Sequence, residues 1–406
     1  MVNLQRKLSV SLCILAITFY LFAIFKYSFN APHGDDYDAI LYFLNQFAVQ
    51  NYEDKVLLVL SQHNEHRIVL DRLITISSWK IFGQVNFTYL IWIGNLGWFL
   101  VIWIFWKWAK SKQVTFIEFA PIIICLLTFC HYELMTWAMA SLQQYYQILF
   151  AICCLFFLTS NRNYWALFFF TLATYTGGGG IILGPTIILY YLISKNPSKA
   201  SINIVVVTIV TLLYFYWPQY LANPQSPGSA KILLRPDLFL EFTLGFLGSA
   251  GNIRKIGLSS GIIFGGLLFL LWANKYSFNK KHKPFLYWTF LYIVMVAILT
   301  AATRGGFGVL YAQTTSRYTQ YSLLILVTIY LSYLLESNNS KKRRAIFFIG
   351  LGFSTILFSY WYPRGNVAIK ARYLELSAGK ISYPDVIRPQ EILQKSKELK
   401  IYGETK

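Results

Sequence analysis

A cluster of carboxylates follows the first apolar stretch of the chain, in the run from Ala31 to Asp38. A carboxylate can take the proton of a hydroxyl group in a transition state, which is general base catalysis. Asp35 and Asp36 are therefore the candidate catalytic residues, and their spacing does not choose between them. The alternative is a helix cap, because Asp at a helix N-terminus accepts hydrogen bonds from free amide groups.

Other polar side chains could bind a sugar or another acceptor. They are His63, Glu65, His66, Arg67, His131 and Glu133. His63 and His66 are three residues apart without a clear third ligand, so the pattern predicts no metal site, and a divalent cation remains an alternative. His131 and Glu133 precede Trp137, and this group could be a sugar-binding wall or part of the aromatic belt at a membrane surface.

Five basic residues could bind a phosphate group: Arg304, Arg317, Arg254, Lys255 and Arg235. Arginine suits phosphate because its planar group donates two parallel hydrogen bonds. Each of these residues could instead pair with anionic lipid headgroups.

The composition indicates a membrane protein. Of the 406 residues, 56% are hydrophobic and 13% are charged, which is more apolar surface than a soluble fold of this length could bury. The net charge of +19 would suggest nucleic acid as the partner of a soluble protein. Here most basic residues lie in short loops between apolar runs, where they set orientation and meet headgroups. We therefore expect membrane lipid, and no nucleic acid, as a partner.

The apolar runs predict an all-α polytopic membrane protein with about eleven transmembrane helices. The predicted spans are 8–28, 88–108, 114–132, 142–159, 163–178, 180–194, 201–218, 259–274, 285–303, 321–336 and 345–362. Basic loops recur on one side, which predicts a cytoplasmic N-terminus and a C-terminus on the opposite side. The stretch 163–194, interrupted by Gly177 to Gly180, is either two spans or one re-entrant element.

This topology predicts a transmembrane bundle over 1–362, with outer loops near 29–87, 219–258 and 304–320, and a non-cytoplasmic tail over 363–406. In the first loop, residues 37–50 have the pattern of an interfacial amphipathic helix. A second helix is expected to begin within 61–67 and to run to Phe82. The tail is expected to be a packed appendage with an amphipathic stretch from Pro389 to Leu399.

The acidic pair at the start of the first loop, the two interfacial helices and the bundle of many spans resemble the GT-C superfamily of polyprenyl-linked glycosyltransferases. The resemblance covers the N-terminal part of the chain by motif and the rest by topology. It implies that Asp35 or Asp36 is the general base and that a lipid-phosphate-linked sugar is the donor. The chain is also similar to a group of bacterial membrane proteins that carry Asn-Glu-His-Arg, here Asn64 to Arg67, and Ser-Arg-Tyr, here Ser316 to Tyr318. That second likeness implies no activity.

These features predict a glycosyltransferase of the bacterial cytoplasmic (inner) membrane. It would move a sugar from a polyprenyl-phosphate donor to a glycan, lipid or protein acceptor on the outer face. One alternative is an O-antigen or capsule polymerase, which would depend on the second outer loop and would not need Asp35 or Asp36. Another is a transporter or flippase of lipid-linked saccharide, which should carry charged residues in mid-span. Apart from Glu118, near the inner end of the third predicted span, the predicted spans contain almost none.

Overall fold

The computed structural model describes residues 2–218, 220–221, 232–253, 259–276 and 284–403. The chain divides into two compact units. The first unit comprises Met1–Ala23, Val101–Tyr132 and Pro224–Ala368. The second comprises Ile24–Leu100, Glu133–Asn223 and Ile369–Lys406. Asp35 and Asp36 therefore belong to the second unit.

The described residues are mostly helical. Up to residue 216 the helices are α1 (Val2–Tyr27), α2 (Phe43–Val49), α3 (Tyr52–Leu60), α4 (Val69–Phe82), α5 (Phe87–Ser111), α6 (Phe116–Leu126), α7 (Tyr132–Met135), α8 (Ala138–Thr159), α9 (Asn163–Thr174), α10 (Leu183–Ile193) and α11 (Pro197–Tyr216). The later helices are α12 (Pro236–Leu247), α13 (Ser259–Tyr276), α14 (Pro284–Arg304), α15 (Val309–Thr314), α16 (Ser316–Glu336), α17 (Ser340–Ser377) and α18 (Ile387–Glu398). A π-helical turn, Tyr37–Tyr42, leads into α2, and an antiparallel hairpin pairs β1 (Gln62–His63) with β2 (His66–Arg67).

Eight helical segments within the described ranges are long and apolar enough to cross a membrane. They are Gln5–Tyr27, Phe87–Ser111, Phe116–Met135, Ala138–Thr159, Pro197–Tyr216, Pro284–Phe307, Ser316–Glu336 and Ser340–Ser377. A helix rises about 1.5 Å per residue, so about 20 apolar residues cover the hydrocarbon core of a bilayer. The prediction of a mostly helical chain with many apolar segments of spanning length is confirmed.

Two of the predicted spans correspond to helices that are shorter than predicted. Helix α9 has 12 residues and α10 has 11, in place of the predicted spans 163–178 and 180–194. The predicted span 259–274 lies within α13, whose apolar segment is Ser260–Asn274. A helix of 12 residues is about 18 Å long, which is less than the thickness of the hydrocarbon core.

The glycine run between α9 and α10 allows close packing. A side-chain carbon at Gly178 would lie 2.7 Å from Nδ1 of His66, and one at Gly179 would lie 2.8 Å from Nε2 of Gln147. Both approaches are closer than ordinary van der Waals contact. The run therefore serves to bring the turn against polar side chains of the second unit.

The first loop differs from the prediction in two places. The helix expected to begin within 61–67 begins later, at Val69, because residues 62–67 form the β1–β2 hairpin, and it ends at Phe82 as predicted. Asn64 has φ 50°, a left-handed turn conformation that interrupts a right-handed helix. Helix α3 is not predicted by the sequence. Asn51 caps it by accepting a hydrogen bond from the Asp54 amide at 2.9 Å.

Helix α4 has a polar buried face. Asp71, Thr75 and Ser78 are buried, and their spacing of four and three residues puts them on one side. The exposed residues are mixed, since Leu73 and Phe82 are apolar whereas Ser77 and Lys80 are polar. The buried face of a helix in a water-soluble protein is usually apolar, so the polarity of this buried face is unusual.

The C-terminal residues pack within the second unit. Helix α18 covers the predicted amphipathic stretch, and the Ile392 carbonyl accepts a hydrogen bond from the side-chain amide of Asn45 at 3.0 Å. The Val85 N–H donates to the Ile401 carbonyl at 2.8 Å. The preceding helix, α17, continues past the predicted end of the last span at 362 to Ser377. The two hydrogen bonds, from Asn45 and Val85, join the tail to residues of the first loop.

Candidate functional site

Asp36, in the acidic cluster, is buried and bound to two backbone amides. Its Oδ1 accepts from the N–H of Met139 at 2.8 Å, and its Oδ2 accepts from the N–H of His33 at 3.0 Å. Met139 lies in the first turn of α8, and the residue before this helix, Trp137, provides no side-chain cap. Asp36 therefore caps α8 from a distant part of the chain.

The environment of Asp36 changes its proton affinity. The pKa of Asp36 is raised to about 7, chiefly by burial and to a smaller extent by the charge of Asp35, while the two amide hydrogen bonds and Arg372 oppose the shift. The side chain is only 1% exposed. Asp36 thus combines a high proton affinity with little access to a substrate.

Asp35 is more accessible than Asp36. It is half-buried, and its carboxylate has no hydrogen-bond or ion-pair partner among the residues that the structure describes. Its backbone carbonyl accepts from the Ala39 N–H at 2.8 Å, which fixes the start of the helical turn. The Asp35 carboxylate interacts electrostatically with His63 and with Asp36. Asp35 is therefore an accessible acceptor of a proton or a hydrogen bond.

Asp38, the third carboxylate, is held by the C-terminal tail. Its oxygens accept hydrogen bonds from the hydroxyl of Tyr383 and from Nη2 of Arg388, the latter at 2.6 Å. The N–H of Gly34 donates to the Ser382 carbonyl at 3.0 Å in the same region. The segment 380–388 thus lies against the acidic cluster. The sequence analysis did not identify Tyr383 or Arg388, and no local pattern marks them.

The rings of His33 and Trp137 and the guanidinium of Arg372 form a group beside the acidic cluster. The His33 and Trp137 rings meet edge to face with centroids 5.1 Å apart, and Arg372 lies 5.8 Å from the Trp137 ring. Arg372 donates to the Glu133 carbonyl at 2.9 Å. Burial, and then the charge of Arg372, lowers the pKa of His33 to about 3, so His33 is neutral at physiological pH. Arg372 is a second residue that the sequence analysis missed.

The backbone at Gly34 packs closely against the Trp137 ring. Gly34 has φ +54°, and a side-chain carbon there would lie 2.9 Å from Cζ2 of Trp137. Only glycine meets both conditions without strain. The turn that presents Asp35 and Asp36 is therefore fixed against Trp137.

Two residues of the β1–β2 hairpin have different surroundings: His63 lies near the carboxylates, and Arg67 binds backbone carbonyls. His63 interacts electrostatically with Asp35 and Glu65, but burial is the largest effect and lowers its pKa. Arg67 is completely buried and donates to the carbonyls of Tyr214, at 2.6 Å, Leu60 and Pro218. Arg67 therefore ties the hairpin to the ends of α3 and α11.

His66 packs against the Gly178 turn, as described above. A search of the described residues finds no group of three His, Cys, Asp or Glu side chains placed to hold a metal ion.

The predicted residues of the first unit have separate surroundings. His131 is completely buried and its Nε2 lies 3.2 Å from the Leu126 carbonyl oxygen. Arg304 and Arg317 are half-buried and both interact electrostatically with Tyr318. His131 is therefore a buried residue of the first unit. Arg304 and Arg317 both lie near Tyr318.

The second-loop candidates differ. Arg235 is exposed and forms an ion pair with Asp237 at 2.8 Å. Arg254 and Lys255 lie outside the described residues.

No protein-family model, characterised protein or solved structure is significantly similar to the chain.

Proposed function

We propose that the protein is a GT-C-type glycosyltransferase with Asp35 as its general base. The observation that supports this choice is the difference between neighbouring carboxylates. Asp36 is bound to two amides and Asp38 to Tyr383 and Arg388, whereas Asp35 is half-exposed and without a partner among the described side chains. A general base must reach the proton that it removes.

In the proposed reaction, Asp35 takes the proton of the acceptor hydroxyl. The acceptor oxygen forms a bond to the anomeric carbon of the donor sugar. The bond from that carbon to the phosphate oxygen breaks, and the polyprenyl phosphate leaves with the electron pair. Arg304 and Arg317 are proposed phosphate ligands on chemical grounds, and Arg235, Arg254 and Lys255 are weaker candidates.

The proposed setting is the outer face of the bacterial inner membrane. We propose about eleven spans in a GT-C-like arrangement, with a cytoplasmic N-terminus and an outer C-terminal tail. The eight long apolar helices and the two shorter ones support this membrane architecture. A lipid-linked donor fits because nucleotide sugars are cytosolic. The acceptor would be a glycan, a lipid or a protein.

The test is sugar transfer by the purified full chain from a set of synthetic polyprenyl-phosphate-linked hexoses and pentoses. We expect Asp35→Asn to reduce transfer at least a hundredfold, because general base catalysis contributes about 10² to 10⁴. The thermal midpoint should stay at the wild-type value, since the Asp35 carboxylate accepts no hydrogen bond from any residue that the structure describes. Glu53→Gln, at an exposed position of α3, is the control.

Two results would contradict the proposal. One is wild-type transfer that Asp35→Asn leaves unchanged, which would remove Asp35 as the base. The other is no transfer from any donor by a folded wild-type protein.

A further inference from the structure

One arginine holds the start of helix α17 beside the end of helix α5. Nη2 of Arg343 donates to the Gln113 carbonyl at 3.5 Å and to the Glu118 carboxylate at 3.0 Å. The Glu118 carboxylate also accepts from the amide and the hydroxyl of Thr115, each at 2.9 Å. All four residues belong to the first unit. Arg343 and Glu118 therefore neutralise each other and fix the two helix ends side by side.

More positive charge lies on these two helix ends. We call six exposed side chains the basic cluster: Lys107, Lys110 and Lys112 at the end of α5, and Lys341, Lys342 and Arg344 at the start of α17. Within the described ranges, none of the six forms a side-chain hydrogen bond or an ion pair. The Glu118 carboxylate is already bound to Arg343. The basic cluster therefore has no counter-charge in this part of the fold.

The start of α17 is an unfavourable place for cations. A helix N-terminus has partial positive charge, so anions stabilise it and cations do not. Asn339 caps this turn, because its side-chain oxygen accepts from the Lys341 amide at 2.8 Å. This cap satisfies an amide but leaves the charges of Lys341 and Lys342 unbalanced. An anion from outside the chain is the complementary ligand.

Exposed apolar side chains lie one helical turn from the cations. Trp103 is 54% exposed and precedes Lys107, whose Nζ lies 5.7 Å from the centroid of the Trp103 ring. Phe348 is 43% exposed and follows Arg344 on the same face of α17. Both helices are long and apolar enough to cross a membrane. A phospholipid, with its anionic headgroup next to hydrocarbon chains, matches both kinds of surface, whereas a soluble anion matches only the cations.

We infer that the basic cluster binds the headgroup of an anionic phospholipid with two phosphate groups. Lysine and arginine donate charge-assisted hydrogen bonds to phosphate, and basic sites between membrane helices bind lipids of this class. The cluster has two groups of cations, one on each helix, which the contacts of Arg343 hold together. One phosphate is available for each group. The inference does not depend on the proposed glycosyl transfer.

The test counts bound lipids by native mass spectrometry. The purified, delipidated full chain is titrated with cardiolipin, which has two phosphates, with phosphatidylglycerol, which has one, and with phosphatidylcholine, which has no net charge. We expect cardiolipin to bind at least tenfold more tightly than phosphatidylglycerol, and phosphatidylcholine to bind most weakly.

Two variants test the two halves of the cluster. One combines Lys110→Gln with Lys112→Gln, and the other combines Lys341→Gln, Lys342→Gln and Arg344→Gln. Each basic residue near an anionic lipid changes the affinity about fivefold, so each variant should weaken cardiolipin binding at least tenfold. The control removes three exposed charges from the tail by Lys395→Gln, Lys397→Gln and Lys400→Gln, and should bind within twofold of the wild type.

Three results would overturn the inference. They are cardiolipin binding no tighter than that of phosphatidylglycerol, cardiolipin binding within twofold of the wild type in both cluster variants, and an equal loss in the tail control, which would show an effect of net charge alone. Thermal midpoints without lipid are measured for all variants and should equal the wild-type value, since the substituted side chains are exposed. If one cluster variant has a lower midpoint, the binding of the other decides.

Discussion

The carboxylate of Asp36 accepts a hydrogen bond from the backbone N–H of Met139 at 2.8 Å, across 103 residues of sequence. The contact joins the acidic turn of the first loop to the start of α8. An acidic residue at a helix N-terminus satisfies a free amide and interacts favourably with the helix dipole. Asp36 thereby positions Asp35.

Asp36→Ala should destabilise the protein. The substitution leaves the amides of Met139 and His33 without their acceptor, which should lower the free energy of unfolding by about 2 kcal/mol. Asp36→Asn keeps one acceptor oxygen and should lose less. Thermal unfolding in one detergent compares the two variants with Glu53→Ala, whose side chain is exposed. Equal midpoints for Asp36→Ala and the wild type would exclude the capping role.

The stability of the protein should depend on pH through Asp36. Burial raises the pKa of Asp36 from 3.8 to about 7, so the folded chain holds this proton more tightly than the unfolded chain. The free energy of unfolding should therefore fall as pH rises from 3.8 to about 7, and the loss is complete above that range.

Asp36→Asn should remove this part of the pH dependence. Burial raises the pKa of Asp71 as well, and its contribution has the same sign and stays in both proteins. The measurement is the thermal midpoint of wild type and variant between these pH limits. Identical slopes would mean that Asp36 does not titrate in this range.

Tyr383 and Arg388, the two side chains that donate hydrogen bonds to Asp38, should contribute unequally to stability. The Arg388 side chain is 54% exposed, so its ion pair should be worth about 0.5 kcal/mol. Tyr383→Phe removes a hydrogen bond to a carboxylate that is only 17% exposed and should cost about 1–2 kcal/mol. Thermal unfolding of Tyr383→Phe and Arg388→Gln tests the order. A larger loss for Arg388→Gln would contradict it.

Arg67→Lys should be strongly destabilising although it conserves the charge. The guanidinium donates to three backbone carbonyls in different directions, and a single ammonium group cannot replace all three. We expect a loss of about 2–4 kcal/mol. Arg162→Lys, at an exposed position before α9, is the matched control. A thermal midpoint for Arg67→Lys like that of the control would show that this network contributes little.

The sequence identified the acidic cluster but not the roles within it. The motif is local, whereas the distinction between Asp35, Asp36 and Asp38 depends on Met139 and Tyr383, which lie far away along the chain. Arg67 was assigned to substrate binding because it is polar and close to other polar residues. Its partners are backbone carbonyls, which leave no trace in a sequence.

The sequence predicts the long helices, because each coincides with a long run of apolar residues. It predicts the short elements of the first loop less well. Long helices such as α5 and α8 follow directly from runs of apolar residues. The β1–β2 hairpin depends on one left-handed residue, Asn64, and the polarity of α4 became informative only once its buried face was known. No pattern in the sequence of the tail predicts that it packs against residues of the first loop.

The contact between Asp38 and Tyr383 joins residues 345 positions apart. A ribosome adds Asp38 to the chain long before it adds Tyr383. The acidic turn therefore leaves the ribosome before this hydrogen-bond donor exists, and the Asp38 carboxylate must be hydrated or bound to other groups until then. A chain truncated before Tyr383 lacks this contact whatever the state of the rest of the fold.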